Sequence, residues 1–401
     1  MYERLLRRNG VLIALVAVLL SGYVARAQEL FRDDFDGVRL DPGKWSWQDR
    51  NWPVGQTWFK GPPDVSGGLA TFTHHTYNQY DPGRLSCLGQ EIYSNVLFER
   101  LDGLEFEARV RLRTPMAGGL VASFFAYMDE QVAGHIENDE IDFEFLSNQL
   151  NKRPDTHQVI VATYDDFWGQ WDDPDRHIVA NPAVFRLDLG EFNVFKIRWW
   201  PDRTEWRWDP TPRDSDVLIF ATTDAQADEP LTIRFNFWAA TSIWPLAWDP
   251  GMVPTNDPTR DAVCFYDVDY VVVRRIADCN RNGVPDAVDV QQSSSDCNGN
   301  SMPDECEPDS DGDGVIDACD ACSGSNVGGT IAIDGCDTGV ANSALGNGCT
   351  MADEIAKAAA AASNHGNFVS RVAHLTNRWV RQGLLSGAEK GRIARCAARA
   401  R

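Results

Sequence analysis

The chain has 401 residues and a formal charge of −22, with 59 acidic against 37 basic side chains. That length exceeds one small core and suits one sizeable domain with appendages. The acidity excludes nucleic acid as the main partner, because phosphate binding draws on Lys and Arg.

Arg4, Arg7 and Arg8 precede an apolar run from Val11 to Leu20, and Ala25-Arg26-Ala27 follows. A basic start, a short apolar stretch and an A-x-A site predict a secretory signal peptide over residues 1–27, removed after Ala27. The ten residues of that run are too few for a bilayer span, which takes about 20. No other stretch reads as a span, so the mature protein is expected to be secreted, extracellular or at the cell surface. Ten cysteines suit an oxidising compartment. Only Cys87 and Cys264 precede residue 279, and the remainder read as disulfide staples of open connectivity. Cys319-x-x-Cys322 has no second pair at zinc-finger spacing.

Residues 28–277 read as one all-β domain. Strands are predicted over Gly68–Phe72, Leu104–Leu112, Leu120–Tyr127, Glu140–Leu146, Gln158–Tyr164, Phe192–Trp200, Thr232–Phe237 and Asp267–Arg274, with Gly, Pro, Asn and Asp clusters between them. Many short strands without helical periodicity predict a β-sandwich or jelly roll. Thirteen of the 14 tryptophans lie in this region. Some belong to the core, and others suit a cleft that stacks flat ligands.

The informative segment is Glu140-Ile141-Asp142-Phe143-Glu144-Phe145. Side chains alternate faces along a strand, so Glu140, Asp142 and Glu144 project to one side and the apolar residues to the other. Three like charges in a row oppose folding, whereas a site that manipulates protons benefits from them. Cα atoms four residues apart lie about 13 Å apart at ~3.3 Å per residue. Arms leaning inward would bring the Glu140 and Glu144 carboxyl groups to about 5 Å, the separation of retaining glycosidases; inverting enzymes need ~6.5–9.5 Å. Crowding raises the pKa of one member of such a cluster, giving one ionised and one protonated carboxyl near neutral pH. A solvated acidic strand or a structural calcium site is the competing reading of this hexapeptide.

Asp139 to Asn148, DEIDFEFLSN, resembles the unbulged E-x-D-x-E signature of glycoside hydrolase family 16, as in lichenases and xyloglucan endotransglycosylases. Phe31–Trp45, Phe98–Arg113, Gly118–Tyr127 and Asp267–Val271 resemble further family strands, so the likeness extends over most of residues 28–277. The resemblance implies a concanavalin A-like jelly-roll β-sandwich. It implies Glu140 as nucleophile, Glu144 as general acid/base and Asp142 between them, without a catalytic cofactor. It also implies Asp269 as a ligand of a structural Ca2+, and sugar-stacking roles for Trp238 and Trp244 in the cleft. The expected activity is endo-hydrolysis of a polysaccharide, a β-1,3-1,4- or β-1,3-glucan. A transglycosylase and a non-catalytic lectin on the same sandwich remain alternatives.

From Asp278 the composition changes. Asp278–Val290 and Asp296–Pro308 repeat at an 18-residue offset, and Asp309–Asp320 is a third, degenerate copy. Calcium loops place oxygen ligands at positions 1, 3, 5, 9 and 12, with Gly at 6. Asp309, Asp311, Asp313, Gly314, Asp317 and Asp320 fit that template, as do Asp278, Asn280, Asn282, Gly283, Asp286 and Asp289. Asp296, Asn298, Asn300, Asp304 and Glu307 fit with Ser301 in place of Gly. These repeats, over 278–322, resemble dockerin and thrombospondin type 3 modules and imply a calcium-stiffened spacer. Residues 323–350 read as a Gly/Ser/Asn-rich linker. Residues 351–401 read as a small helical basic tail, with helices over Ala352–Ala362 and Phe368–Gln382 and surface attachment as a candidate role.

Overall fold

The computed structural model describes residues 28–400, except 53–54, 82, 84, 133–134, 151–158, 168–177, 181–186, 210–215 and 326–327. The expected signal peptide and the ends of several loops lie outside the described residues. The chain divides into two compact units, one of residues 27–277 and one containing residues 278–401.

The first unit is built from two antiparallel sheets. Alternating apolar residues on each strand need a covered face, and two such faces cover each other. One sheet runs, in neighbour order, Trp45–Trp47, Cys87–Ser94, Thr232–Ala239, Leu120–Val132, His135–Leu146, Val159–Phe167 and Ile178–Ala180. The other runs Asp64–Ser66, Leu69–His75, Val263–Arg275, Leu104–Leu112, Asn193–Trp199, Thr204–Asp209 and Val217–Thr222. Glu29–Asp33 pairs with the second half of Val263–Arg275. His75 opposite Leu88 joins the two sheets, and Thr57–Phe59 runs parallel to Cys87–Ser94.

Aromatic rings fill the interface between the sheets. Phe143 and Phe145 meet Phe195 of the opposite sheet at 5.1 and 4.7 Å between ring centres. Phe72 meets Phe235 at 6.3 Å, and Tyr266 meets Phe237 at 6.0 Å. Trp199, Trp206 and Trp208 are buried as core residues.

The predicted strands are present, most with wider bounds, although Leu104–Leu112 keeps its bounds and Asn193–Trp199 is one residue shorter at each end. Leu120–Val132 and His135–Leu146 form a hairpin that continues past the apolar alternation through Met128 to Val132 and His135 to Asp139. Backbone pairing carries these polar ends, which have no hydrophobic period to announce them.

The second unit has its own core. Helices Met351–Ala360, His365–Arg381 and Gly387–Ala397 pack with a hairpin of Thr330–Ile333 and Cys336–Ala341. Ile331, Val340, Ile355, Val372, Trp379 and Ile393 are buried together. The expected linker over 323–350 is therefore corrected: its Thr330–Ile333 and Cys336–Ala341 strands supply Ile331, Ile333 and Val340 to that core. The third helix was not expected from sequence. Its start carries a reciprocal cap in which Ser386 and Glu389 satisfy each other's backbone N–H groups.

Eight cysteines form four disulfides: Cys279–Cys306, Cys297–Cys319, Cys322–Cys349 and Cys336–Cys396. Cys87 and Cys264 are free and buried. Among the described residues, no helix is long and apolar enough to cross a membrane.

Phe143 is completely buried between the sheets. Phe143→Ala should cost about 3–5 kcal/mol through lost burial and the cavity left behind. Urea denaturation followed by tryptophan fluorescence would read this as a lowered midpoint for the sandwich. A loss below about 1 kcal/mol would contradict the packing described.

Candidate active site

The strand His135–Leu146 presents two unlike faces. Ile141, Phe143 and Phe145 are at most 1% exposed and face the sandwich core. Glu140, Asp142 and Glu144 therefore occupy the outer face of the same sheet. Residues directly opposite in neighbouring strands share a face, so the register defines the surroundings of each acid.

Glu140 lies between Tyr127 and Tyr164, with Thr232 beyond Tyr127. Asp142 lies between Phe125 and Ala162, with Arg234 and then Tyr93 beyond Phe125. Glu144 lies between Ser123 and Ile160, with Asn236 and then Glu91 beyond Ser123. The next rung is apolar: Leu146, Val121 and Trp238. Together with Ile160 they form a small cluster with Phe59, Ala240 and Ala247, against which Trp52 and Trp244 pack. One end of the acidic row therefore abuts an aromatic wall.

Burial and mutual repulsion set the protonation of the row. Burial pushes the Glu140 carboxyl up to about 7, although a hydrogen bond from Asp142 and the charge of Arg234 pull it down. Burial and the charge of Glu140 push Glu144 up to about 8. Asp142 is held well above the usual carboxylate range by burial, by both neighbouring charges and by its hydrogen bond to Glu140. Desolvation and like charge thus act together, and Glu140 is the member with the most opposing help. Asn138 Nδ2 also donates to Glu140 Oε2 at 3.2 Å. Tyr164 is raised by burial and by all three acids.

Several groups on this face were not singled out from sequence. Arg234 is 8% exposed, and its guanidinium lies 4.3 Å from the Tyr127 ring centre and 5.2 Å from that of Tyr93. Its Nη1 is 3.4 Å from Glu91 Oε1. Ser123 Oγ and Asn236 Oδ1 are buried without a hydrogen-bond partner. The signal was available: Thr232, Arg234, Asn236 and Trp238 alternate along one strand, so a platform at Trp238 implies its neighbours.

Trp238, expected to stack a sugar, is buried in this fold. It is only 4% exposed, stacked on Trp244 at 6.0 Å and in edge-to-face contact with Trp52 at 6.2 Å. A Cβ on Gly55 would lie 2.7 Å from Trp238 Cε3 and the same distance from Trp52 Cδ1, so this packing demands glycine there. With Trp52 and Trp244 packed against it, Trp238 leaves little of its surface free in this fold. Trp244 remains partly exposed.

Asp269 sits at a bulge between Val268 and Tyr270, and its carboxylate pairs with Arg109. No cluster of metal-competent acids among the described residues includes it. A cavity of about 490 Å³ lies on the other sheet, lined by Asp33, Asp36, Arg39, Lys44 and Val65, and contains none of the three row acids.

The three acidic loops share one backbone plan. The first-position Asp accepts N–H groups from the fifth and sixth positions in each: Asp278 from Asn282 and Gly283, Asp296 from Asn300 and Ser301, Asp309 from Asp313 and Gly314. Positions four and six are left-handed in every loop, including Ser301 at φ 67°. The ninth-position carboxylates of Asp286, Asp304 and Asp317 each accept the N–H of position two. In the first two loops the amides of Asn280 and Asn282 donate to Asp289, and those of Asn298 and Asn300 to Glu307. In the third, ligand oxygens of Asp309, Asp311 and Asp313 lie within 4.8 Å of one another. Asp320 accepts the Cys322 N–H and stands outside that trio.

Residues 103–255 match the family model of glycosyl hydrolases family 16. That span holds the acidic row, its hairpin partner and Thr232–Ala239. Among solved structures, the chain is similar to a prokaryotic β-1,3-1,4-glucanase (lichenase) derived from a mouse hindgut metagenome. The identity is 20% over 62% of this chain and 100% of that one, with a TM-score of 0.46. It is similar to a Bacillus licheniformis β-glucanase at 18% identity, over 62% of this chain and 99% of that one, with a TM-score of 0.45. A laminarinase from Rhodothermus marinus is 19% identical over 63% of this chain and 99% of that one, with a TM-score of 0.46. None of these likenesses is close enough to bring a substrate with it. No curated protein matches the sequence.

Because Trp238 is buried against Trp52 and Trp244, Trp238→Ala should behave as a core deletion, costing about 3–5 kcal/mol. Differential scanning calorimetry would record a lower Tm. An unchanged Tm with weaker glycan binding would instead restore the platform role.

Proposed function

We propose that this protein is a retaining glycosidase acting on β-glucans, with Glu140 as nucleophile and Glu144 as acid/base. The observation that carries this reading is the one-sided row Glu140, Asp142, Glu144, with its graded protonation, inside the segment that matches the family 16 model. In the first step, ionised Glu140 attacks the anomeric carbon while the proton of Glu144 passes to the glycosidic oxygen. The bond to the leaving sugar breaks, and a glycosyl ester on Glu140 remains. Glu144, now a carboxylate, takes a proton from water, whose oxygen attacks the anomeric carbon and releases Glu140. Net configuration is retained. Protonated Asp142 hydrogen-bonds Glu140 and steadies it as charge leaves during ester formation.

The substrate class proposed is a β-1,3-1,4- or β-1,3-glucan, cut internally, and the N-terminal segment supports export to where such polymers occur. Incubation with barley β-glucan, laminarin and xyloglucan tests the class. New reducing ends indicate hydrolysis, redistribution of sizes without them indicates transfer, and neither indicates a lectin.

Catalysis needs Glu140 ionised and Glu144 protonated. Activity should fall below about pH 7 as Glu140 gains its proton, and above about pH 8 as Glu144 loses its own, giving a narrow bell. Glu140→Ala should lower kcat by at least about 10⁴-fold. Azide should restore turnover and yield an α-linked glycosyl azide. Wild-type-like hydrolysis by that variant would refute the nucleophile assignment.

We further propose that residues 278–322 bind calcium through these loops. Support comes from the shared backbone plan and from Asp313 Oδ2, which is buried without a partner beside Asp309 and Asp311. The donor set is all oxygen, as a hard cation requires. The first two loops must turn their Asn amides to offer oxygen in place of N–H. Isothermal titration with Ca2+ should show uptake that Asp311→Ala together with Asp313→Ala weakens at least about tenfold, since each removes one charged ligand. Heat of dilution alone in the wild-type protein would end this proposal.

A further inference from the structure

Arg234 is a buried cation on the face that carries the acidic row, and nothing in the sandwich core requires it there. Its guanidinium is clamped between the rings of Tyr127 and Tyr93, at 4.3 and 5.2 Å. Its Nε donates to Thr232 Oγ1 at 3.0 Å, and Nη1 lies 3.4 Å from Glu91. Stripping water from a guanidinium costs more than one long contact of this kind returns. The two aromatic faces offset part of that cost. A hydrophobic side chain would fill the same space without it. The charge therefore calls for a use. Tyr127, which carries the guanidinium on its ring, is the residue directly opposite Glu140.

We propose that Arg234 is the electrostatic positioning residue of the site, held by Tyr93, Tyr127 and Glu91 one rung along the sheet from Glu140, so that its charge acts on that carboxylate. This rests on the glycosidase reading for its purpose, but the geometry stands apart from it. Arg234 acts through Glu140 and Glu91 acts through Arg234. Glu91 limits how much of the Arg234 charge reaches Glu140, and Arg50, 3.6 Å from Glu91, takes up part of that acid's charge in turn. The direction agrees with the charges present: Arg234 favours ionised Glu140 and Glu91 opposes it.

The other groups around Glu140 do not substitute for this cation. Its own strand supplies Asn138 and Asp142. The Leu120–Val132 strand supplies Tyr127 and Asp129, and the Val159–Phe167 strand supplies Tyr164. The Cys87–Ser94 strand supplies Glu91 and Tyr93 beyond Arg234. Among the described residues of these packed strands named here, only Arg234 is positive.

The test reads Glu140 directly. In full-length protein carrying 13C-labelled glutamate carboxyls, the Glu140 resonance, assigned by its loss in Glu140→Gln, is titrated by NMR. Arg234→Met should raise its midpoint by at least about one pH unit, the effect of removing an opposite charge at this range. Arg234→Lys should return most of that shift, and Glu91→Gln should move the midpoint the other way. On an active glucan, the acid limb of kcat/KM should move in the same directions. A folded Arg234→Met whose Glu140 midpoint equals the wild-type value overturns the proposal. Should that variant not fold, an unmoved midpoint in Glu91→Gln overturns it equally. Wild-type protein inactive on every glucan defeats the glycosidase reading alone, because the carboxyl titration needs no turnover.

Discussion

The alternation from Ile141 to Phe145 is the constraint on which the rest of the first unit depends. Full burial of an aromatic side chain stabilises by roughly 1.5–3 kcal/mol, whereas like charges set side by side on a strand cost a few tenths to about 1 kcal/mol each. The core side wins. Phe143 and Phe145 stack against Phe195, and because the strand period is two, Glu140, Asp142 and Glu144 have no choice of face. Slipping the register by one residue would bury three acids and expose three large apolar groups. The acidic row is thus maintained by packing on the side it does not touch.

What the face does with its acids depends on neighbours brought by other strands. Tyr127 and Ser123 come from the hairpin partner, Arg234 and Asn236 from the strand beyond it, and Glu91 from the strand after that. The grid converts sequence-distant residues into adjacent rungs. Glu140 meets an opposing positive charge from across the sheet, whereas Glu144 meets the aromatic wall and none. Two glutamates of one strand thereby sit in unequal environments, the condition under which one carboxyl can stay ionised while the other keeps a proton.

The elements with their own hydrophobic period were legible in the sequence. Leu104–Leu112 has the expected bounds, and the acidic row projects from the expected face. Short edge pieces such as Trp45–Trp47, Thr57–Phe59 and Asp64–Ser66 were not legible, since three residues show no period. The outward parity of Trp238 is real, but Trp52 and Trp244 cover it, and that packing is tertiary. Arg234 is hard to read for the opposite reason: its parity matches the site, yet a lone cation in an apolar strand reads as a solvated edge. In the second unit, Ser386-x-x-Glu389 is a readable helix start hidden by a glycine-bearing, arginine-rich segment. The Thr330–Ala341 hairpin is masked by its Gly content.

The four disulfides of the second unit overlap. The bridge from Cys279 to Cys306 encloses Cys297, whose own bridge runs on to Cys319. The bridge from Cys322 to Cys349 encloses Cys336, which is bonded to Cys396. Any peptide bond from Cys279 to Cys319, or from Cys322 to Cys396, therefore lies inside at least one covalent ring. A protease that nicks the chain there leaves both pieces tethered, and within this stretch only a cut between Cys319 and Cys322 parts the helical end from the loops before it. That three-bond gap is the sole seam in an otherwise cut-resistant appendage, and a reductant would turn every other exposed loop into a seam as well.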